Sequence, residues 1–539
     1  MPDLADEEKR GGLLGFLINH GAWWLLFTAV FAVIAALLST DGTPDFKIYH
    51  FYNGYAAHHD RSALDIFPAQ MQTAFFRGVD SVYFSIFAAL NDHPILLNVL
   101  LSLPYSIAAF VAFLIGRLFV AADFYGRNVA CAGAAILGLT GASALPTLAT
   151  TMSEIVPGVP VLIALAAWLY FERAERNNVW TALAVGCLAG FSVGLKLTLA
   201  PLFVAMFLAI AVRRALGRPS AFWQAFAFGL AGVVVFALLD GSWLWGNWQA
   251  YGNPIFPLMN QIFDSDLVDH SPWRDLRFMP KTTLMALFYP AYWAFRSSHH
   301  AIELDMRDPR ILIGCVSAVI VLIAFAVRRL RDGPAAKSVE VVGLCLAIVF
   351  LVSYALWEEA WSIYRYLAIQ ECLSGVMALI ALTTILGSRL KSAWVFALFA
   401  LVVVAAMATT RYPWWSRAQR GPQAISVVLP PIEPNAMVVF LDPYAYSYLV
   451  PFMPDTARAI GANTNLVRPG SPGLLEPQIE STIRDHQGPL WGMEYPEVFP
   501  GVADSTLASH HLTREDDCAL VDTNMEEKPF VRICRLKRK

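Results

Sequence analysis

Four ionisable residues stand where a chain this apolar has little use for charge: Asp45, Glu154, Lys196 and Arg365. Asp45 follows Thr43 and Pro44, which suit the cap and first position of a helix, with Asp45 in its first turn. A carboxylate there either completes a helix start or waits at the mouth of a bundle as a general base. Lys196, in Gly194-Leu195-Lys196, and Arg365, in Tyr364-Arg365-Tyr366, each sit at the edge of an apolar run. Such cations either snorkel to headgroups or face a cavity and bind something. Two cations near a carboxylate suit a reaction that releases a lipid phosphate. Glu154, after Thr150-Thr151-Met152-Ser153, and Asp240, near the end of a span, fall on the same side. Metal binding is not indicated, because His58-His59 and His299-His300 are adjacent rather than i, i+4 pairs and no cysteine spacing fits.

The elements that must position these groups are membrane helices. Of 539 residues, 57% are hydrophobic and 15% charged, with a mean hydropathy of +0.51. Soluble proteins run about 45–50% apolar and about 25% charged. The net charge of −3, with no basic tract before Arg535 to Lys539, gives no sign of a nucleic-acid partner. About eleven segments read as spans, against the roughly 20 residues a crossing needs. They lie near 15–38, 95–118, 129–147, 156–171, 179–194, 197–212, 222–243, 311–328, 340–357, 365–386 and 393–410. The first is longer than a signal-peptide core of about 7–15 residues and is read as a retained helix. The two segments around Lys196 form either separate spans or one broken segment whose turn sits within the membrane.

Lys and Arg near the span ends set the orientation. Lys9, Arg10, Arg117, Arg127, Arg173, Arg176, Arg213, Arg214, Arg218, Arg328, Arg329, Arg331, Arg389 and Lys391 fall on one side. The short connections opposite carry only Lys196 and Arg365. The N-terminus is therefore expected in the cytoplasm, and an odd number of spans puts three long segments outside: 39–94, 244–310 and 411–539. The outside is the periplasm if the membrane is a Gram-negative inner membrane. In the first loop Ile48, Tyr52, Tyr55 and Ala56 recur at helical spacing, widened by Phe51, which predicts a helix along the membrane surface with its aromatics at headgroup depth. Trp243, Trp245 and Trp248 in the second suit an interfacial belt or stacking on sugars. The tail has Pro-rich stretches and a strand-like run, Ala436 to Leu441, with no further span. Cys518 and Cys534 lie there, either reduced or joined in a disulfide whose loop of about 15 residues is worth roughly 3 kcal/mol. The expected fold is an all-α polytopic membrane bundle over 1–410 with a small α/β extracytoplasmic domain over 411–539.

At these residues the chain resembles the GT-C superfamily of integral membrane glycosyltransferases, which use sugars carried on polyprenyl phosphate. The likeness lies in the layout of one span, an outer loop with an acid ahead of an amphipathic helix, and then a multi-span bundle. It lies also in Pro44-Asp45-Phe46 with the aromatics to Tyr55, in Gly194-Leu195-Lys196, in Tyr251-Gly252-Asn253-Pro254 and in Tyr364-Arg365-Tyr366. It covers about 1–410; the tail resembles no family. The superfamily often carries paired acids in the first loop. Here Asp45 is followed by Lys47, so no acidic pair supports a divalent metal, no other cofactor is indicated, and Asp45 stands as the lone base, with Asp65 the alternative.

The resemblance implies inverting sugar transfer on the outer face of the plasma membrane. Asp45 takes the proton of an acceptor hydroxyl of a cell-envelope glycan or lipid, and Lys196 and Arg365 neutralise the departing polyprenyl phosphate. Glu154, Asp65, Tyr364 and Tyr366 are the candidates for positioning substrate. An O-antigen ligase or polymerase type would use a pyrophosphate-linked oligosaccharide instead. A transporter or flippase predicts inverted repeats and half-helices at the midplane, which the sequence does not display.

Overall fold

A computed structural model describes residues 12–121, 124–332, 338–386, 393–527 and 531–539. Each of the eleven predicted segments is wholly or largely helical: Gly12–Leu37, Pro94–Phe119, Arg127–Leu139, Ile155–Arg173, Val179–Leu195, Ala200–Val212, Ala221–Tyr251, Arg310–Asp332, Ser338–Ala360, Ala368–Leu386 and Ala393–Thr409. Among the described residues seven helices are long and apolar enough to cross a membrane, while four of the predicted spans form shorter apolar helices. Lys9, Arg10, Arg389 and Lys391, four of the cations on which the orientation rests, lie outside the described residues.

The segment near 129–147 departs from expectation. Its helix stops at Leu139, and residues 140–144 fold as buried turns that lead into a single 3-10 turn, Leu145–Thr147. Buried backbone outside a regular helix needs partners for its polar groups, and here the protein supplies them. Glu371 accepts from the amides of Ser143 and Ala144, and Asp308 accepts from that of Ala142. Elsewhere small residues let helices close up. A methyl at Gly186 would overlap the Phe228 carbonyl, and one at Gly190 the Gly232 backbone, so Val179–Leu195 lies directly against Ala221–Tyr251. That contact fixes the helix end from which Lys196 projects.

The tail folds around a five-stranded sheet in the order Arg458–Gly461, Met437–Phe440, Leu490–Glu494, Arg532–Arg538, Leu512–Leu520. The first three strands are parallel and the last two antiparallel additions. Met437–Phe440 is buried at every position, as a central parallel strand covered on both faces should be. Cys518 and Cys534 face each other across the antiparallel pair and are bonded. Replacing both by Ser is expected to lower the stability of this module by roughly 3 kcal/mol through the freed loop, read as a lower urea midpoint for its transition.

The sheet is clasped by the loops at 39–94 and 244–310. Ile66 of the first loop pairs in parallel with Ile460 and covers the exposed edge of Arg458–Gly461. Asp266 and Leu267 of the second loop accept from the amides of Leu474 and Leu475. This explains a second departure. Phe51–His59 does form a helix, but Phe51, Tyr52, Tyr55 and Ala56 are buried between Gly78–Leu90 and the tail segment Ser447–Phe452, not laid in headgroups. The aromatic stripe packs on Phe84 and Phe87 of Gly78–Leu90 and, through Phe51, on Phe452 of the C-terminal module.

Candidate functional site

Asp45 opens a wide π-helical turn, Phe46–His50, a geometry that recurs at functional positions. Thr43 caps its start, its hydroxyl receiving the Phe46 amide at 3.4 Å. The turn is tied down on two sides. Lys47 reaches Glu526 of the tail at 3.0 Å, and the Ser447 hydroxyl donates to the Lys47 carbonyl at 3.0 Å. On the bundle side the wholly buried Asp41 accepts from the Thr43 amide and hydroxyl at 2.9 and 2.7 Å. Its other oxygen accepts from the Thr151 amide and hydroxyl at 2.6 and 2.7 Å. One carboxylate thus binds the segment that carries Asp45 to the turn that carries Glu154.

Four segments distant in sequence meet there. Arg365 Nη2 lies 3.6 Å from Asp45 Oδ2, each side chain 13% exposed. Lys196 Nζ lies 2.6 Å from Glu154, whose second oxygen accepts from Thr198 at 2.8 Å. Tyr366 sits between the cations, its ring centre 5.4 Å from the Arg365 guanidinium and 6.0 Å from Lys196 Nζ. Trp415 lies on the guanidinium at 5.9 Å, and Glu303 of the second loop approaches it at 3.7 Å. The Ser143 hydroxyl donates to the Arg365 carbonyl at 2.6 Å, so the buried turns beneath hold the arginine in place.

The charges act on one another. Burial opposes the Asp45 anion, but Arg365, His50 and Lys196, with the Tyr49 hydroxyl at 3.4 Å, outweigh it and hold the carboxyl below its ordinary value. Burial, then Asp45 and Asp80, push the Tyr49 phenol well above its own, so it stays a donor. Asp45 is therefore an anion at neutral pH, able to accept a proton beside two cations able to hold a phosphate.

Of the predicted positions, Asp45, Glu154, Lys196, Arg365 and Tyr366 come together. Asp65 and Tyr364 do not. Asp65 is held by Arg61 at 2.8 and 2.9 Å, by the Tyr52 hydroxyl and by the Ala459 amide, which leaves it a joint between loop and sheet. Tyr364 is wholly buried, edge-on to Trp293 in the core under the second loop. Asp240 faces Gly194, and neither of its oxygens has a hydrogen-bond partner among the described residues. No group of three or more His, Cys, Asp or Glu suited to a metal occurs among the described residues.

Sequence reasoning missed Asp41, Tyr49, Glu303, Trp415 and the buried pair His50–Asp80, 2.6 Å apart. Tyr49 had a signal, lying four residues after Asp45 on the same helical face. Glu303 and Trp415 had none, since only the tertiary fold brings them to Arg365. Compared with known proteins, the chain matches no family model, no curated protein and no solved structure.

Proposed function

We propose that this chain is an inverting glycosyltransferase that moves a sugar from a polyprenyl-phosphate donor to an acceptor hydroxyl of a cell-envelope glycan or lipid. The observation that carries the reading is the meeting of Asp45 with Lys196, Arg365 and Glu154 in one partly exposed cluster at the mouth of an apolar bundle. Asp45 accepts the acceptor proton as its oxygen attacks the anomeric carbon. Lys196 and Arg365 meet the phosphate that departs, an arrangement worth several kcal/mol where water is excluded. Glu154 and Tyr366 orient the cations and the sugar between them.

The reading places all eleven apolar helices in the plasma membrane, the N-terminus in the cytoplasm, and the loops and tail outside, where the tail assists the acceptor. The polyprenyl chain stays in the bilayer beside the bundle. The protein purified in nanodiscs, given radiolabelled polyprenyl-phosphate sugars and a crude envelope acceptor, should transfer label. No transfer from any such donor, beside a working control enzyme, sinks the proposal.

A further inference from the structure

Among the described residues, each cation at the site already has a carboxylate beside it. Lys196 is closed on Glu154 at 2.6 Å, while Arg365 lies 3.6 Å from Asp45 and 3.7 Å from Glu303. Behind Asp45, His50 meets Asp80 at 2.6 Å; beyond Glu303, Arg277 meets Asp275 at 2.6 Å. The cluster holds no surplus of positive charge. An anion that enters must share a cation with a carboxylate or displace one.

The two pairs resist displacement unequally. The Arg365–Asp45 distance exceeds the about 2.7–2.9 Å of a charge-assisted hydrogen bond. With both partners 13% exposed and no short hydrogen bond between them, this looser pair opens to a ligand more readily. The Lys196–Glu154 pair is shorter, Glu154 is only 1% exposed, and Thr198 holds it as well. Freeing Lys196 leaves a buried carboxylate uncompensated, which is strongly unfavourable. We infer that Glu154 is a specificity residue: by occupying Lys196 it confines the site to lipid phosphodiesters bearing one negative charge and turns away pyrophosphate-linked lipids, which bear two.

This rests on the reading that the cluster binds a lipid phosphate, and it accounts for the charge through the reaction. The acceptor oxygen forms its bond to the anomeric carbon, and the bond from that carbon to the phosphate oxygen breaks with its electron pair going to the phosphate. The phosphate goes from one negative charge to two, and the acceptor proton moves to Asp45, which becomes neutral. The sum at the site does not change, and Arg365, relieved of Asp45 though still beside Glu303, gives more of its charge to the phosphate while Lys196 stays shared with Glu154. A pyrophosphate donor brings a further negative charge throughout, with only a cation already held by Glu154 to meet it.

The test uses the full chain in nanodiscs and two probes, the methyl esters of a polyprenyl phosphate and of the matching pyrophosphate, competing against a fluorescent lipid phosphate. Wild type should favour the singly charged probe by about tenfold or more, the scale of one poorly matched charge. Glu154→Gln should erase or invert that preference, and Glu154→Asp should keep it. Equal binding of both probes by wild type, or an unchanged ratio in Glu154→Gln, overturns the inference and leaves the phosphate site standing. Binding of neither probe by wild type removes the phosphate site itself. If Glu154→Gln does not fold, Thr198→Val, which loosens Glu154, should narrow the ratio in the same direction; an unchanged ratio there overturns the inference equally.

Discussion

Asp45→Asn is expected to lower kcat for sugar transfer by about 10²- to 10⁴-fold, the range a positioned general base supplies, while leaving the protein folded. Asparagine keeps the size of the side chain and can still accept from the Tyr49 hydroxyl, which lies 3.4 Å from Asp45. The thermal transition should therefore hardly move. Donor binding should tighten, because the variant no longer draws Arg365 away from a phosphate. A fall in kcat with a lower KM for the donor is the signature of a base lost beside an intact anion site, and an unchanged kcat removes Asp45 from the mechanism.

The pH profile follows from the same contacts. Asp45 must be ionised to act, and Arg365, His50 and Lys196 hold its carboxyl below the ordinary range despite burial. Activity should therefore persist as pH falls until below the usual carboxylate region, and only then disappear. A bound phosphate takes up charge from Arg365 and Lys196, so Asp45 in the complex is a stronger base. The acid limb of kcat should lie at higher pH than that of kcat/KM. Arg365→Gln removes the nearest cation and should move the kcat/KM limb upward. Limbs that coincide in wild type and do not move in Arg365→Gln would show that another group carries the proton.

The seven long helices were legible because an apolar run of the length needed to span a bilayer declares itself, while four of the predicted spans form shorter helices. Four of the site charges were legible for the converse reason, that an ion in an apolar chain is conspicuous. The groups that position them were not. Asp41 is an acid four residues before Asp45, and its role depends on Thr151, 110 residues further along. Local spacing contains no trace of that contact. The aromatic stripe of Phe51–His59 was misassigned to lipid because buried aromatics and headgroup aromatics share one periodicity. One part of its true cover is Gly78–Leu90, and the other, Ser447–Phe452, arrives from about 400 residues away, as the bond from the Ser447 hydroxyl to the Lys47 carbonyl records. The helix ending at Leu139 was overrun because the turns after it are as apolar as the helix, and the acids that satisfy them belong to other segments.

Asp65→Asn is expected to loosen the junction between the first loop and the tail instead of slowing the chemistry. In sequence Asp65 looked available, a carboxylate in a polar loop. In the fold it is 8% exposed and accepts two bonds from Arg61, one from Tyr52 and one from the Ala459 amide. Arg61, itself 3% exposed, also donates to the carbonyls of Asp455 and Ala457. Removing the anion leaves that guanidinium buried without its counter-charge, a loss of about 3–5 kcal/mol in comparable pairs. Set against a typical domain stability of about 5–15 kcal/mol, that is enough to release the tail from the loop. Limited proteolysis should then cut within 411–539, and transfer should fall only in proportion to the folded fraction. A base would behave otherwise: the variant would stay protected while kcat collapsed. The double replacement Arg61→Met with Asp65→Leu separates the cases further, since swapping a buried ion pair for apolar groups of similar size is often neutral. Transfer by that protein, with no ionisable group left at 65, assigns the residue to the joint and leaves proton acceptance to Asp45.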